Sequence, residues 1–314
     1  MLSDQTYANP VIEQRADPWV YKHSDGHYYF TASVPEYDRI VLRRAATIQG
    51  LADAEEKVLW RRREAGEMSE HVWAPEIHYI EGRWYIYFAA GERDDIWKIR
   101  PFVLTCGAAD PLAGQWAELG IMRKANPLSE AFTDFSLDMT TFEHRGSRYA
   151  IWAEKRDHIS NLYIDKLVNP WTIAGSEVMI ATPEHPWERI GFWVNEGAAV
   201  LKRGGRIFVA YSASATDHHY CMGLLTISGN DDVMDAGAWS KSARPVFESS
   251  DETGQYGPGH NSFTQENGND VIVYHARPYK EIEGNPLYDP NRHARAQVFG
   301  WREDGTPDFG APDR

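Results

Sequence analysis

The chain has 314 residues, with 32 Lys and Arg set against 46 Asp and Glu and a formal charge of −14 near pH 7. So acidic a surface argues against nucleic acid as a partner, because phosphate binding rests on basic side chains that release counterions. No run is long and apolar enough to span a bilayer, and the first residues lack the basic and apolar regions of a secretory leader, so no membrane partner and a cytoplasmic location are expected unless a leader has been removed.

One pattern recurs along the chain at intervals of about sixty residues, too long for a solenoid repeat and suited to a propeller blade. It is a polar residue, a mixed apolar run, a turn with Gly, and an aromatic-rich strand. In order, the five stretches start at Asp17-Pro-Trp-Val, Glu76-Ile-His-Tyr-Ile, Asp138-Met-Thr-Thr-Phe, Glu196-Gly-Ala-Ala-Val and His260-Asn-Ser-Phe-Thr. Turn signals such as Ser24-Asp25-Gly26 and Arg203-Gly204-Gly205 join period-two strands into hairpins. Only Leu51 to Leu59 looks weakly helical, so folds that alternate strand and helix lose their necessary helices. An all-β, five-bladed β-propeller is predicted, as a single domain over residues 1–314. Segments Tyr7 to Glu13 and Arg295 to Trp301 have strand-like composition and are expected to pair and close the ring. Cys106 and Cys221 are too far apart in sequence for a metal motif and read as free buried thiols.

A propeller lines its axis with the innermost strand of every blade, so residues sixty apart converge on one pocket. Asp17, Asp138 and Glu196 each sit in apolar or aromatic surroundings, where a charge is seldom left without a partner or a task. Any one of them alone reads more simply as a turn acid or an ion-pair partner. Three in one register point to glycoside hydrolysis, in which a protonated carboxyl releases the leaving oxygen and an ionised one activates water or attacks. A third carboxylate beside the acid would raise its pKa by like-charge repulsion. No nucleophile elbow, phosphate loop, dinucleotide fingerprint or zincin motif competes with them.

At these residues the sequence resembles glycoside hydrolase family 43. The motifs that carry the resemblance are Arg15-Ala16-Asp17-Pro18, Trp73-Ala74-Pro75-Glu76, Ser136-Leu137-Asp138-Met139, Val194-Asn195-Glu196-Gly197, Gly257-Pro258-Gly259-His260-Asn261-Ser262-Phe263 and Tyr274-His275-Ala276-Arg277. The resemblance implies a five-bladed inverting enzyme with Asp17 as general base, Asp138 as the residue that tunes and orients the acid, and Glu196 as general acid. Tyr211 to Asp217 and Asp289 to His293 look more like the family's α-L-arabinofuranosidases than its β-xylosidases. The implied function is exo-acting release of arabinose from arabino-oligosaccharides, arabinan or arabinoxylan fragments. A β-xylosidase on the same fold and a non-catalytic sugar-binding propeller are the rivals.

Seven further residues are expected to bind substrate. Trp73, Phe135 and Trp193 lie within three residues of a repeat acid and are expected to stack on a sugar ring, with packing between blades as the alternative. Glu76 shares the register and is expected to bind a hydroxyl or to accept backbone hydrogens, and Asn195 precedes the acid. Arg277 is expected to donate paired bonds to a sugar or to anchor Asp17. His260 is expected to face the channel. No cofactor is required for the chemistry, but in related arabinan-degrading propellers the matching histidine helps to hold a central ion, commonly calcium, which itself prefers oxygen ligands. His218-His219 has no third ligand at a metal spacing and is expected in an exposed loop. The loops Glu92 to Ile99 and Ser249 to Gly257 are expected at the pocket rim.

Overall fold

The structure is a computed structural model, in which residues 5–314 are described. Five sheets, antiparallel apart from one short parallel pair in the third, follow one another along the chain. The first contains β1 (Ala16–Lys22), β2 (Tyr28–Ser33), β3 (Arg39–Ala45) and β4 (Lys57–Arg61). The second contains β5 (Glu70–Ile80), β6 (Arg83–Glu92), β7 (Asp95–Cys106) and β8 (Ala117–Ile121). A short strand β9 (Arg123–Lys124) leads to the third, built from β10 (Ser136–His144), β11 (Ser147–Arg156) and β12 (Ile159–Asn169), with β13 (Thr172–Ile173) and β14 (Val178–Ala181) at its edge.

The fourth is β15 (Asn195–Arg203), β16 (Arg206–Ala213), β17 (Cys221–Ser228) and β18 (Ser240–Lys241). The fifth is β19 (Tyr256–Glu266), β20 (Asn269–Arg277) and β21 (His293–Val298), followed by a separate hairpin of β22 (Gly300–Trp301) and β23 (Pro307–Asp308). Strands β1, β5, β10, β15 and β19 each touch the next, and β19 returns to β1, so the five sheets are the blades of a propeller. No helix among the described residues is long and apolar enough to cross a membrane.

Apolar side chains fill the seams between blades. Tyr29, Leu42, Trp84 and Phe88 pack between the first two, and Val20, Phe30, Val271 and Ala294 between the first and the last. Burial of such side chains stabilises by about 1.5–3 kcal/mol each, and the period-two pattern of every strand supplies them to both faces. Ring closure differs in detail from the expectation. Ile12 forms a single bridge to Ala294, and the Asn9 side chain exchanges hydrogen bonds with the Ala296 backbone, while Trp301 pairs with Pro307 instead. The weakly helical stretch is a 3-10 turn at Gln49–Leu51 followed by β4, because Val58 and Trp60 find partners across β3.

Every inner strand carries a one-residue β-bulge at the same place. Three steps along the inner strand answer two on its neighbour at Ala16/Trp19, Trp73/Glu76, Leu137/Thr140, Glu196/Ala199 and Gly259/Ser262. The first extra residue in each has positive φ: Asp17 at 54°, Ala74 at 45°, Asp138 at 56°, Gly197 at 58° and His260 at 42°. Left-handed backbone disfavours side chains with a Cβ and is held only when the surroundings dictate it. Four of the bulge N–H groups are tied to a side chain of the preceding blade: Asp17 to His275 Nδ1, Ala74 to Ser33 Oγ, Gly197 to Asp138 Oδ2 and His260 to Ser212 Oγ. Bulges re-aim side chains, and here they set Asp17, Ala74, Asp138 and His260 in the wall of one cavity on the axis.

Candidate active site

A cavity of about 430 Å³ opens at the bulges and is lined by Asp17, Asp138, Glu196 and His260. Trp73, Phe135 and Trp193 line it too, together with Trp97, Lys155, Tyr220 and Arg292. The Trp73 indole N–H is buried without a hydrogen-bond partner among the described residues. Its ring is stacked on His71, with centroids 4.4 Å apart. Lys155 holds its ammonium 4.1 Å from the centre of the Phe135 ring.

Asp17 is held as an anion. The Ser33 hydroxyl donates to Oδ2 at 2.6 Å, and Arg292 donates to Oδ1 at 3.3 Å. Burial alone would push this carboxyl up, but His260, Arg292, His275 and Ser33 outweigh it and hold the group well below the usual carboxylate range. Burial also pushes His260 and His275 below the ordinary histidine value, so near neutral pH the lasting positive charge is that of Arg292. The same guanidinium donates to Tyr37 Oη at 2.7 Å, which fixes its direction.

The other two acids are pushed the opposite way. Burial raises Asp138 well above the usual range, Glu196 and Asp17 add like-charge repulsion, and the Gly197 N–H at 3.0 Å opposes them. Burial and the charge of Asp17 raise Glu196, against a 2.8 Å hydrogen bond donated by the Tyr220 hydroxyl and the nearby charges of Lys155 and Arg292. Asp138 and Glu196 therefore keep their protons to higher pH than Asp17 does. One ionised and one protonated carboxyl facing the same cavity can take a proton from water and give one to a leaving group.

Three sequence expectations fail on contact. Asn195 is fully buried, and its amide donates to Glu188 and accepts from Lys241, so it braces β15 against β18 rather than facing substrate. Glu76 lies two residues beyond its bulge and does not line the cavity. It shares a 3.0 Å hydrogen bond with His78, and burial pushes it well above the ordinary glutamate value. Arg277 spends its guanidinium on Asp289, the Thr216 carbonyl and the Pro286 carbonyl, and Arg292 anchors Asp17 in its place. Tyr220 and Arg292 were not singled out from sequence, since neither falls in the sixty-residue register.

The residues around His260 do not build a calcium site. Its Nδ1 faces Asp17 Oδ1 at 3.3 Å and Asp138 Oδ2 at 3.9 Å, and the Asp17 oxygens are already engaged by Ser33 and Arg292. Calcium takes six to eight oxygens, and no group of three or more metal-ligating side chains among the described residues includes His260. The group that does form is Asp217, His218 and His219, where the Asp217 carboxylate supplies the third ligand that sequence spacing did not offer.

The family model for glycosyl hydrolases family 43 matches residues 7–307. An extracellular exo-alpha-(1->5)-L-arabinofuranosidase of Streptomyces avermitilis is 53% identical over 312 residues, which cover 98% of this chain and 64% of that protein. Alpha-L-arabinofuranosidase 43 of Humicola insolens is 55% identical over 312 residues, covering 98% of this chain and 63% of that protein. The chain thus spans slightly less than two thirds of the length of both. A crystal structure of an alpha-L-arabinofuranosidase from Lactobacillus brevis superposes with a TM-score of 0.92 at 48% identity, covering 98% of this chain and 97% of that one.

Proposed function

Since the chain belongs to glycosyl hydrolases family 43, we propose that it is a glycoside hydrolase, an inverting, exo-acting α-L-arabinofuranosidase whose residues 1–314 form one catalytic body. The observation that carries this reading is the placement on one cavity of Asp17, bonded to Ser33 and Arg292, and of buried Glu196, bonded to Tyr220. In the proposed reaction Glu196 protonates the glycosidic oxygen as the bond to the anomeric carbon breaks. Asp17 takes a proton from the water that attacks the opposite face, through an oxocarbenium-like transition state. Asp138 accepts the Gly197 N–H, and so holds the backbone next to the acid.

Arabinose as the released sugar is supported by the names of the relatives and by the aromatic lining of Trp73, Phe135 and Trp193, which suits a furanose ring. The names of two relatives, from Streptomyces avermitilis and Streptomyces chartreusis, specify a 1,5 linkage and an extracellular enzyme. We therefore carry the 1,5 linkage to this chain as part of the proposal. The cytoplasmic expectation has no support from those names, so arabinan and its fragments are both admitted as substrates. A bound calcium ion has no place in the proposed chemistry.

Hydrolysis of 1,5-linked arabino-oligosaccharides followed by NMR tests the reading. Arabinose should appear first as the β-anomer, from the non-reducing end. A first product that retains the α-configuration, or faster cleavage of an aryl β-xyloside than of an aryl arabinofuranoside, overturns it.

A further inference from the structure

Beside the cavity, residues Asp217 to Tyr220 form a tight turn in which the Tyr220 N–H donates to the Asp217 carbonyl at 3.2 Å. Asp217 Oδ1 accepts from the His219 N–H at 2.8 Å and lies 2.9 Å from His219 Nδ1. The His218 and His219 rings are 3.9 Å apart at their centroids. One ligand atom from each of the three side chains lies within 4.8 Å of the other two. We propose that this turn is a binding site for a divalent transition-metal ion, held by the Asp217 carboxylate and the two imidazoles, and that occupancy slows the enzyme through Tyr220.

The donor set selects the ion class. Two imidazole nitrogens and one carboxylate suit zinc or its first-row neighbours, whereas calcium and magnesium prefer oxygen alone. A tetrahedral zinc with bonds of about 2.0–2.2 Å needs its ligands roughly 3.3–3.5 Å apart, so a contraction of the turn suffices, and a fourth position stays open to water. The ion would replace the contact that His219 Nδ1 now makes with Asp217, with the remaining imidazole proton carried on Nε2.

The turn is tethered at two carbonyls before any ion arrives. Arg277 donates to the Thr216 carbonyl at 2.7 Å, and the Ser249 hydroxyl donates to the His218 carbonyl at 2.6 Å. The Asp217 carbonyl packs so closely over Gly257, at φ +61°, that a side chain there would collide with it. All three side chains are partly exposed, so solvent can deliver the ion.

The fourth residue of the same turn is the link to rate. Tyr220 is buried and donates to Glu196, so drawing the preceding three side chains together shifts the group that orients the acid. Thr216 and Tyr220 both line the cavity, which puts the turn in its wall.

Zinc titration of the whole protein by calorimetry in a non-chelating buffer, run beside initial rates on a 1,5-linked arabino-oligosaccharide, whose leaving group needs the acid, tests both parts. The expected result is one equivalent bound and a severalfold, saturable fall in rate with the same midpoint. The His218→Asn/His219→Gln variant should keep the zinc-free rate and bind more weakly by on the order of tenfold or more. No stoichiometric binding, or equal binding by the variant, overturns the site. Binding without any change in rate overturns the link to Tyr220. Zinc binding does not depend on which sugar is cleaved, whereas the effect on rate rests on Glu196 acting as the acid, so the two can fail separately.

Discussion

The Tyr220 hydroxyl donates to Glu196 Oε1 at 2.8 Å, while the Tyr220 ring lies nearly parallel to His275, 10° from coplanar and 5.6 Å away. His275 in turn accepts the Asp17 N–H at 3.1 Å. One aromatic side chain therefore touches the acid directly and the base through a single intermediary.

Tyr220→Phe removes a donor that favours the ionised form of Glu196, so the acid should keep its proton to higher pH. A hydrogen bond to a charged group is worth about 1.5–3 kcal/mol, and 1.36 kcal/mol corresponds to one pKa unit. The alkaline limb of the kcat profile should move up by about one to two units, with a lower plateau because the acid is less well oriented. An alkaline limb that stays in place would show that Tyr220 does not act on the acid.

Glu196→Ala should lower turnover of oligosaccharides by about 10²–10⁴-fold and that of aryl glycosides with good leaving groups far less, since those need little protonation. Asp17→Ala should abolish both, because no leaving group supplies the base for water. Steady-state rates on the two substrate types separate the roles, and equal losses in Glu196→Ala would remove it as the acid.

Arg292 is the lasting cation beside Asp17, so Arg292→Met should raise the pKa of the base and shift the acidic limb of kcat/KM to higher pH. Removing one member of a buried ion pair also costs about 3–5 kcal/mol, so thermal melting of the variant is needed alongside the profile. An acidic limb at its original position in a folded variant would assign Asp17's low pKa to Ser33 and the histidines.

Asp138 has its folded pKa raised above the unfolded value, chiefly by burial. The native state then binds more protons than the unfolded chain between those two values, and stability falls as pH climbs through that window. Asp138→Asn removes the cost while its amide oxygen can still accept from the Gly197 N–H. Its Tm should exceed that of the parent protein by about 2 °C or more at pH 8, with the gap closing near pH 4, and its activity should fall. A Tm gap that is constant with pH counts against a buried, repelled carboxyl.

The ring of blades was legible because strand alternation and turn residues repeat with the fold itself. Asp17, Asp138 and His260 were found for the same reason, as each occupies the bulge that defines the repeat. Glu196 stands one residue before its bulge and Glu76 two residues after. A count by charge at sixty-residue intervals absorbs such slips, yet one or two residues decide which way a strand side chain points. Glu196 still reaches the cavity, whereas Glu76 turns to His78. Arg277 and Arg292 are two buried arginines on neighbouring strand and loop, and only the path of the loop between β20 and β21 tells which one meets Asp17. Asn195 has the composition of a ligand contact, but Glu188 in the preceding 3-10 turn and Lys241, distant in sequence, claim its amide.

Of the five bulges, the one at Ala74 carries only a methyl group. It has the same strand offset and the same kind of tie to the preceding blade as those that hold Asp17 and His260. The frame thus provides a socket with no reagent mounted in it, and the Trp73 ring beside it already faces the sugar pocket. An enzyme of this shape can acquire or lose a functional group by exchanging one side chain, with no strand moved and no loop rebuilt. Position is inherited from the ring, and chemistry is chosen blade by blade.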